Sequence, residues 1–212
     1  MVIEVFAELT CPFTHLALRR IVQRRRDEGL SEPHLWIRPW PLELVNGKPL
    51  DPHHVGKEIG ALRAQISPDL FGGFDEGSFP TASMPGFRLV EAAYAVDDVT
   101  GERVSLELRR ALFEEGRDIS DPEVLDDIAT AHDLDVPGED LDAEVERAYA
   151  EGKERGVEGS PHFFVDDYSA FCPLLDIQKD DAGDFHLTLD EKAVNALLDD
   201  WFAIAAAGTG DG

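Results

Sequence analysis

The chain is short of lysine, methionine and cysteine, and it has no long apolar run. Five lysines and 14 arginines face 44 acidic residues among 212, for a formal charge of −25. Such a field repels phosphate backbones and anionic lipid, which argues against nucleic acid and membrane surfaces as partners. The one basic concentration, Arg19-Arg20 with Arg24-Arg25-Arg26, falls in a predicted helix and reads as a solvated basic face. No apolar stretch approaches the ~20 residues a bilayer span requires; the longest candidate is Trp201–Ala207. The opening MVIEVFAELT is acidic where a secretory signal carries Lys or Arg, so a cytoplasmic location is expected. There, two cysteines are expected to be chemical or incidental, because small-thiol pools keep such pairs reduced. G-x-G-x-x-G, P-loop and H-E-x-x-H patterns are missing, His53-His54 is a bare pair, and Asp97-Asp98, Asp126-Asp127 and Asp180-Asp181 lack the alternating calcium loop. No metal is expected. The acidic, lysine-poor surface suits a salt-rich host, where the Debye length falls to about 3 Å at 1 M, although a GC-rich genome also favours arginine.

What is present suffices for a core. With 43% hydrophobic residues, the length fits one domain or one domain with a sizeable insertion. Val2–Ala7 reads as a strand buried on both faces. Thr10-Cys11-Pro12 opens a helix, Pro12 sitting where a missing N–H costs nothing, and Leu16, Leu18, Ile21 and Val22 form its buried stripe until Gly29. His34–Trp40 alternates as a second strand. From Asp51 to about Gly86 the composition is that of a bridge with one helical stretch near Val55–Gln65. Helical patterns follow over Phe87–Val99, Val104–Glu115, Pro122–His132 and Asp142–Arg155, with turns expected at Thr100-Gly101 and Pro137-Gly138. Past Gly156 the pattern returns to strands at Phe163–Asp166 and Asp184–Leu189, then to a helix capped by Asp190 that runs to Trp201-Phe202. The expected organisation is a discontinuous α/β domain, 1–50 with 156–207, a helical insertion subdomain, 51–155, and a frayed tail, 208–212.

Two segments carry a resemblance: Thr10-Cys11-Pro12-Phe13-Thr14-His15 after the first strand, and Gly156-Val157-Glu158-Gly159-Ser160-Pro161-His162-Phe163-Phe164-Val165 before the third, with a helical block between them. Arg38-Pro39-Trp40-Pro41-Leu42 adds to it. In this layout the chain resembles the DsbA-like family, which also holds 2-hydroxychromene-2-carboxylate isomerases and kappa-class glutathione transferases. The resemblance implies a thioredoxin fold, βαβ…ββα, with an inserted all-helical subdomain. It implies a catalytic group of Cys11, Thr14 and Pro161, the Ser160-Pro161 bond being cis and set against the thiol. Pro12, Phe13, His15, Ser160 and His162 would line the substrate site.

Read from physics alone, Cys11 at a helix N-terminus faces unpaired N–H groups and a positive dipole end, which lower a thiol pKa; the alternative is a small buried apolar residue. Thr14 stands where a dithiol enzyme of the family has its second cysteine. A Cys-x-x-Thr site forms a mixed disulfide without closing a ring on its neighbour. Thr14 is placed to hydrogen-bond the thiolate or to cap the first turn, and His15 to tune the thiolate or to pack. Cys172, 11 residues beyond Pro161, is a candidate resolving thiol if the Cα atoms approach within about 7 Å. The expected function is a monothiol thiol-disulfide oxidoreductase without a tightly bound cofactor. It would use glutathione or another low-molecular-weight thiol as co-substrate, on a small thiol or a thiol-bearing protein. An isomerase or kappa-type transferase acting on an aromatic or electrophilic small molecule, and a non-catalytic binding module, stay open, as does a homodimer.

Overall fold

A computed structural model describes residues 2–207; the expected 208–212 tail lies outside them. The central strand is β1 (Ile3–Ala7), in a four-stranded sheet of order β2-β1-β3-β4. β2 (Leu35–Pro39) runs parallel to it, with Val5 opposite Ile37; β3 (His162–Val165) runs antiparallel, with Val5 opposite Phe163. β4 (Tyr168–Phe171) completes the sheet against β3. All of β1 is buried, as a β-branched and aromatic strand covered on both faces should be. Its alternation sorts the two faces. Ile3, Val5 and Ala7 pack with Leu18 and Ile21 of α1 (Pro12–Asp27) and with Leu198 and Trp201 of α8 (Glu191–Ala207). Phe6 points the other way, against Trp40 and Val157. Beside it Glu4 accepts from Arg38 at 2.9 Å and from Arg155 at 2.8 Å, so the charge on the buried strand is fully paired.

Between β2 and β3 lie α2 (Leu42–Asn46), α3 (Pro52–Gln65), α4 (Met84–Tyr94), α5 (Asp98–Glu115), α6 (Pro122–Ala131) and α7 (Asp142–Glu154). α2 had no periodic signal in so short a segment, and α3 begins earlier than expected, at a cap in which Asp51 accepts from His53 N–H.

The turn expected at Thr100-Gly101 is instead the first part of α5. The chain breaks upstream, where the Asp97 carboxylate accepts from Thr100 N–H and Thr100 Oγ1. Gly101 serves close packing: a Cβ there would lie 2.2 Å from the Tyr94 ring. That ring is needed at the sheet edge, because Tyr94 Oη accepts from Ile37 N–H and donates to Leu35 C=O, both at 2.8 Å. Glu102 accepts from Leu35 N–H at 2.7 Å and pairs with Arg25. Side chains of α4 and α5 thus occupy the hydrogen-bonding groups of the edge strand, which an exposed strand would offer to another chain.

The strand expected around Asp184–Leu189 forms as β6 (Phe185–Thr188), but outside the main sheet. It pairs with β5 (Asp176–Lys179) in a separate two-stranded ribbon. The partner that β3 requires is β4, whose alternating half-buried and exposed pattern in Tyr168–Phe171 went unread. The ribbon rests on α3 through Gln65, which donates to Phe185 C=O and accepts from Leu187 N–H, both at 2.9 Å. No helix among the described residues is long and apolar enough to cross a membrane.

Candidate active site

β1 ends in Glu8-Leu9-Thr10 and delivers Cys11 to the N-cap of α1, with Pro12 at the first helical position. Cys11 C=O accepts from His15 N–H at 3.1 Å, which starts the helix and leaves the thiol at its mouth. The Ser160–Pro161 peptide bond is cis. Cys11 Sγ donates to Ser160 C=O at 3.3 Å, and Cys172 N–H donates to Pro161 C=O at 2.8 Å. Two consecutive carbonyls therefore tie both cysteines to one segment, and both thiols are free. Cys172 sits at the entry to a tight turn, with φ at 45°.

A hydroxyl chain runs beneath the thiol. Ser160 Oγ accepts from Glu8 N–H at 2.7 Å and lies 2.7 Å from Thr14 Oγ1. With its lone pair engaged by Glu8, Ser160 can donate to Thr14, which frees the Thr14 proton for sulfur. Thr14 hydroxyl and N–H both pull the Cys11 pKa down, as does Ser160.

Burial outweighs them. Cys11 is 5% exposed within the apolar cluster that holds Phe13, Leu175 and Phe185, and its pKa stands above the usual thiol value. This reverses the sequence expectation: amide dipoles do surround the sulfur, yet desolvation of the anion dominates. Cys172 is likewise pushed up, to about 12, by burial and by the neighbouring Cys11.

Three charged groups near this site gave no signal in the sequence. Glu58 of α3, pushed up to about 7 by burial, further raises the Cys11 pKa when ionised. Its carboxylate lies 3.5 Å from His54 Nε2, which is 3.5 Å from Lys179 Nζ. Glu8 is raised by burial while accepting from Thr10 N–H, Thr10 Oγ1 and Leu42 N–H. Arg109, fully buried, is lowered to about 10 by desolvation and held up by Glu8 and Cys11. It donates to Ser105 C=O and Oγ and to Glu8 C=O, leaving Nε without a partner among the described residues. A cation on the floor of a thiol site favours thiolate, opposing Glu58.

Of the expected lining residues, Pro12 is buried and Phe13 packs on Phe185 at 6.4 Å between ring centroids, in the same cavity wall as Pro161 and Cys172. The two histidines are both packed, which for His15 is one of the two readings the sequence leaves open. His15 is bound through Nε2 to Glu114 at 2.8 Å between the rings of Phe71 and Phe113, and burial lowers its pKa. His162 accepts from Glu158 N–H, lies 2.9 Å from Ser169 Oγ, and stacks on Phe164. Both imidazoles are thus engaged by scaffold partners: His15 by Glu114 and two phenylalanine rings, His162 by Glu158, Ser169 and Phe164.

The family model described as a DSBA-like thioredoxin domain matches residues 2–179. No curated protein matches the chain. Among solved structures it is similar to the cytosolic disulfide reductase DsbM from Pseudomonas aeruginosa, at 18% identity and TM-score 0.59 over 99% of this chain and 98% of that one. A structure of DsbM with GSH gives 17% identity and TM-score 0.58, over 99% of each chain. A 2-hydroxychromene-2-carboxylate isomerase gives 14% and 0.58, over 81% and 88%. At such identities the likeness is one of fold.

Proposed function

Because the chain belongs to the DSBA-like thioredoxin family, we propose that it is a thiol-disulfide oxidoreductase working on small disulfides in the cytoplasm, with Cys11 as nucleophile and Cys172 as resolving thiol. The observation that carries this is the attachment of both cysteines to the Ser160-Pro161 segment, Cys11 through its sulfur and Cys172 through its N–H. Cys11 loses its proton to solvent and attacks one sulfur of a disulfide RSSR, forming Cys11–S–SR and releasing RS⁻. Cys172, also as thiolate, attacks the Cys11 sulfur, closes the internal disulfide and releases the second RS⁻. The two protons shed by the cysteines end on the two RS⁻ groups. A second small thiol, consumed in pairs, returns the enzyme disulfide to two thiols. Thr14 and Ser160 stabilise the thiolate, and the similarity to a disulfide reductase solved with GSH supports glutathione as the small thiol.

Intact mass after treatment with glutathione disulfide tests the sequence of steps. The native chain should lose two hydrogens with no lasting adduct, Cys172→Ser should hold one glutathione on Cys11, and Cys11→Ser should hold none. Since burial raises both thiols, the rate should still climb where a free thiol near pKa 8.5 has levelled off. An adduct on Cys172 in the Cys11→Ser chain, or an inert native chain at pH 9, sinks the proposal.

One observation favours a second reading, a thiol-dependent isomerase or kappa-type transferase. The Cys11 thiol is held protonated and donates to a carbonyl, as a serine hydroxyl would. On that reading Cys11→Ser keeps activity on an aromatic electrophile in the presence of glutathione, whereas the first reading requires its loss.

A further inference from the structure

The basic residues of α1 do not form a plain solvated face. Arg19 and Arg26 stand at helical spacing along one side of α1 and, with Arg103 of α5 and His132, line a cleft of about 280 Å³. Its apolar wall is Val22 and Leu106, and its single acid, Glu107, is already engaged by His132 Nε2 at 2.8 Å and Arg110 at 3.4 Å. None of Cys11, Thr14, Ser160 or Pro161 lines it.

The pairing of the arginines points to a ligand. In a chain with 44 acids for 19 bases, a carboxylate partner is easily found. Nine of the 14 arginines have one in a salt bridge. Among the described residues, the exposed arginines without one are Arg19, Arg26, Arg63 and Arg103, and three of these four edge this single cleft. A protein of net charge −25 that keeps three guanidinium groups unneutralised around an apolar wall has a local field opposite to its global one. Guanidinium forks match carboxylate and phosphate oxygens in pairs, and they stay charged at any working pH. Its volume is at the small end of the range for small-molecule sites.

We propose that this cleft binds a small organic anion bearing at least two negative groups on an apolar scaffold, with Arg19, Arg26 and Arg103 taking the charges while Val22 and Leu106 pack against the scaffold. The site is separate from the thiol and does not depend on the reaction assigned to it. Titration calorimetry with 2,6-naphthalenedicarboxylate at one fixed ionic strength tests it. The native chain should bind one equivalent. Arg19→Ala/Arg26→Ala/Arg103→Ala together should weaken binding at least tenfold, and Arg147→Ala, an exposed arginine on α7, should leave it unchanged. The neutral dimethyl ester should bind at least tenfold more weakly to the native chain, a comparison that needs no variant to fold. Absence of binding, equal binding of the ester, or an unaffected triple variant overturns the proposal.

Discussion

Glu58 makes the ionisation of Cys11 depend on a second titration. Its carboxyl, pushed up to about 7 from near 4.5, binds its proton more tightly in the folded chain than in the unfolded one. The stability this confers is therefore complete below about pH 4.5 and is lost as pH rises through about 7, amounting to roughly 3 kcal/mol at most. Glu58→Gln should flatten the decline in unfolding free energy between pH 5 and pH 8, as measured by denaturant titration at each pH. The same substitution removes the anion that raises Cys11. Iodoacetamide should then modify Cys11 several-fold faster than in the native chain at pH 8. At pH 5.5, where Glu58 of the native chain is protonated and uncharged like the glutamine that replaces it, the two rates should coincide. Equal rates at pH 8 would show that the carboxylate does not act on the sulfur.

At the scale of elements, Gly101 and Gly60 offer a comparison in sign. Both are helical glycines, and replacing one by alanine in an open position stabilises a helix by roughly 0.5–1 kcal/mol. A Cβ at Gly60 of α3 meets nothing within 4 Å, so Gly60→Ala should gain that amount. At Gly101 the Cβ drives into the Tyr94 ring and displaces the hydroxyl that closes the β2 edge, so Gly101→Ala should cost about 1–3 kcal/mol. Chemical denaturation of the two variants checks both; a stabilised Gly101→Ala would remove Tyr94 from the edge. This pair also shows where the sequence was legible. The β1 strand, the Cys11-Pro12 helix start and the Asp190 cap are local signals, and all appear in place. Gly101 reads as a turn because nothing nearby in sequence announces an aromatic ring arriving from another helix. For the same reason β4 and β5 give no signal in the sequence, and β6 gives no sign that it pairs outside the main sheet: short strands take their identity from partners that periodicity does not reveal. The environment of the sulfur is the third case, since the apolar cluster that holds Cys11 with Leu175 and Phe185 is one that only the fold assembles.

Over the whole molecule, on the proposed oxidoreductase reading, the net charge should decide which disulfides reach Cys11. Glutathione disulfide is anionic at neutral pH and cystamine is cationic, yet both offer the same sulfur–sulfur bond to Cys11. A protein of charge −25 repels the first and attracts the second over a Debye length of about 10 Å at 0.1 M salt, which shrinks to about 3 Å at 1 M. Raising salt over that range should speed mixed-disulfide formation with glutathione disulfide and slow it with cystamine. The ratio of the cystamine rate to the glutathione disulfide rate should fall by roughly tenfold, within the span that electrostatic steering commands. The Cys172→Ser chain suits the measurement, because the adduct stays on Cys11 and is counted by mass. Neutral hydroxyethyl disulfide is the internal standard: it senses any salt effect on the fold or on the thiol itself, and its rate is divided out of the other two. If the ratio held constant, the local cations at Arg109 and along α1, rather than the acidic surface, would set the field at the mouth of the site. In that case a glutathione-like anion would be admitted as readily as any other disulfide.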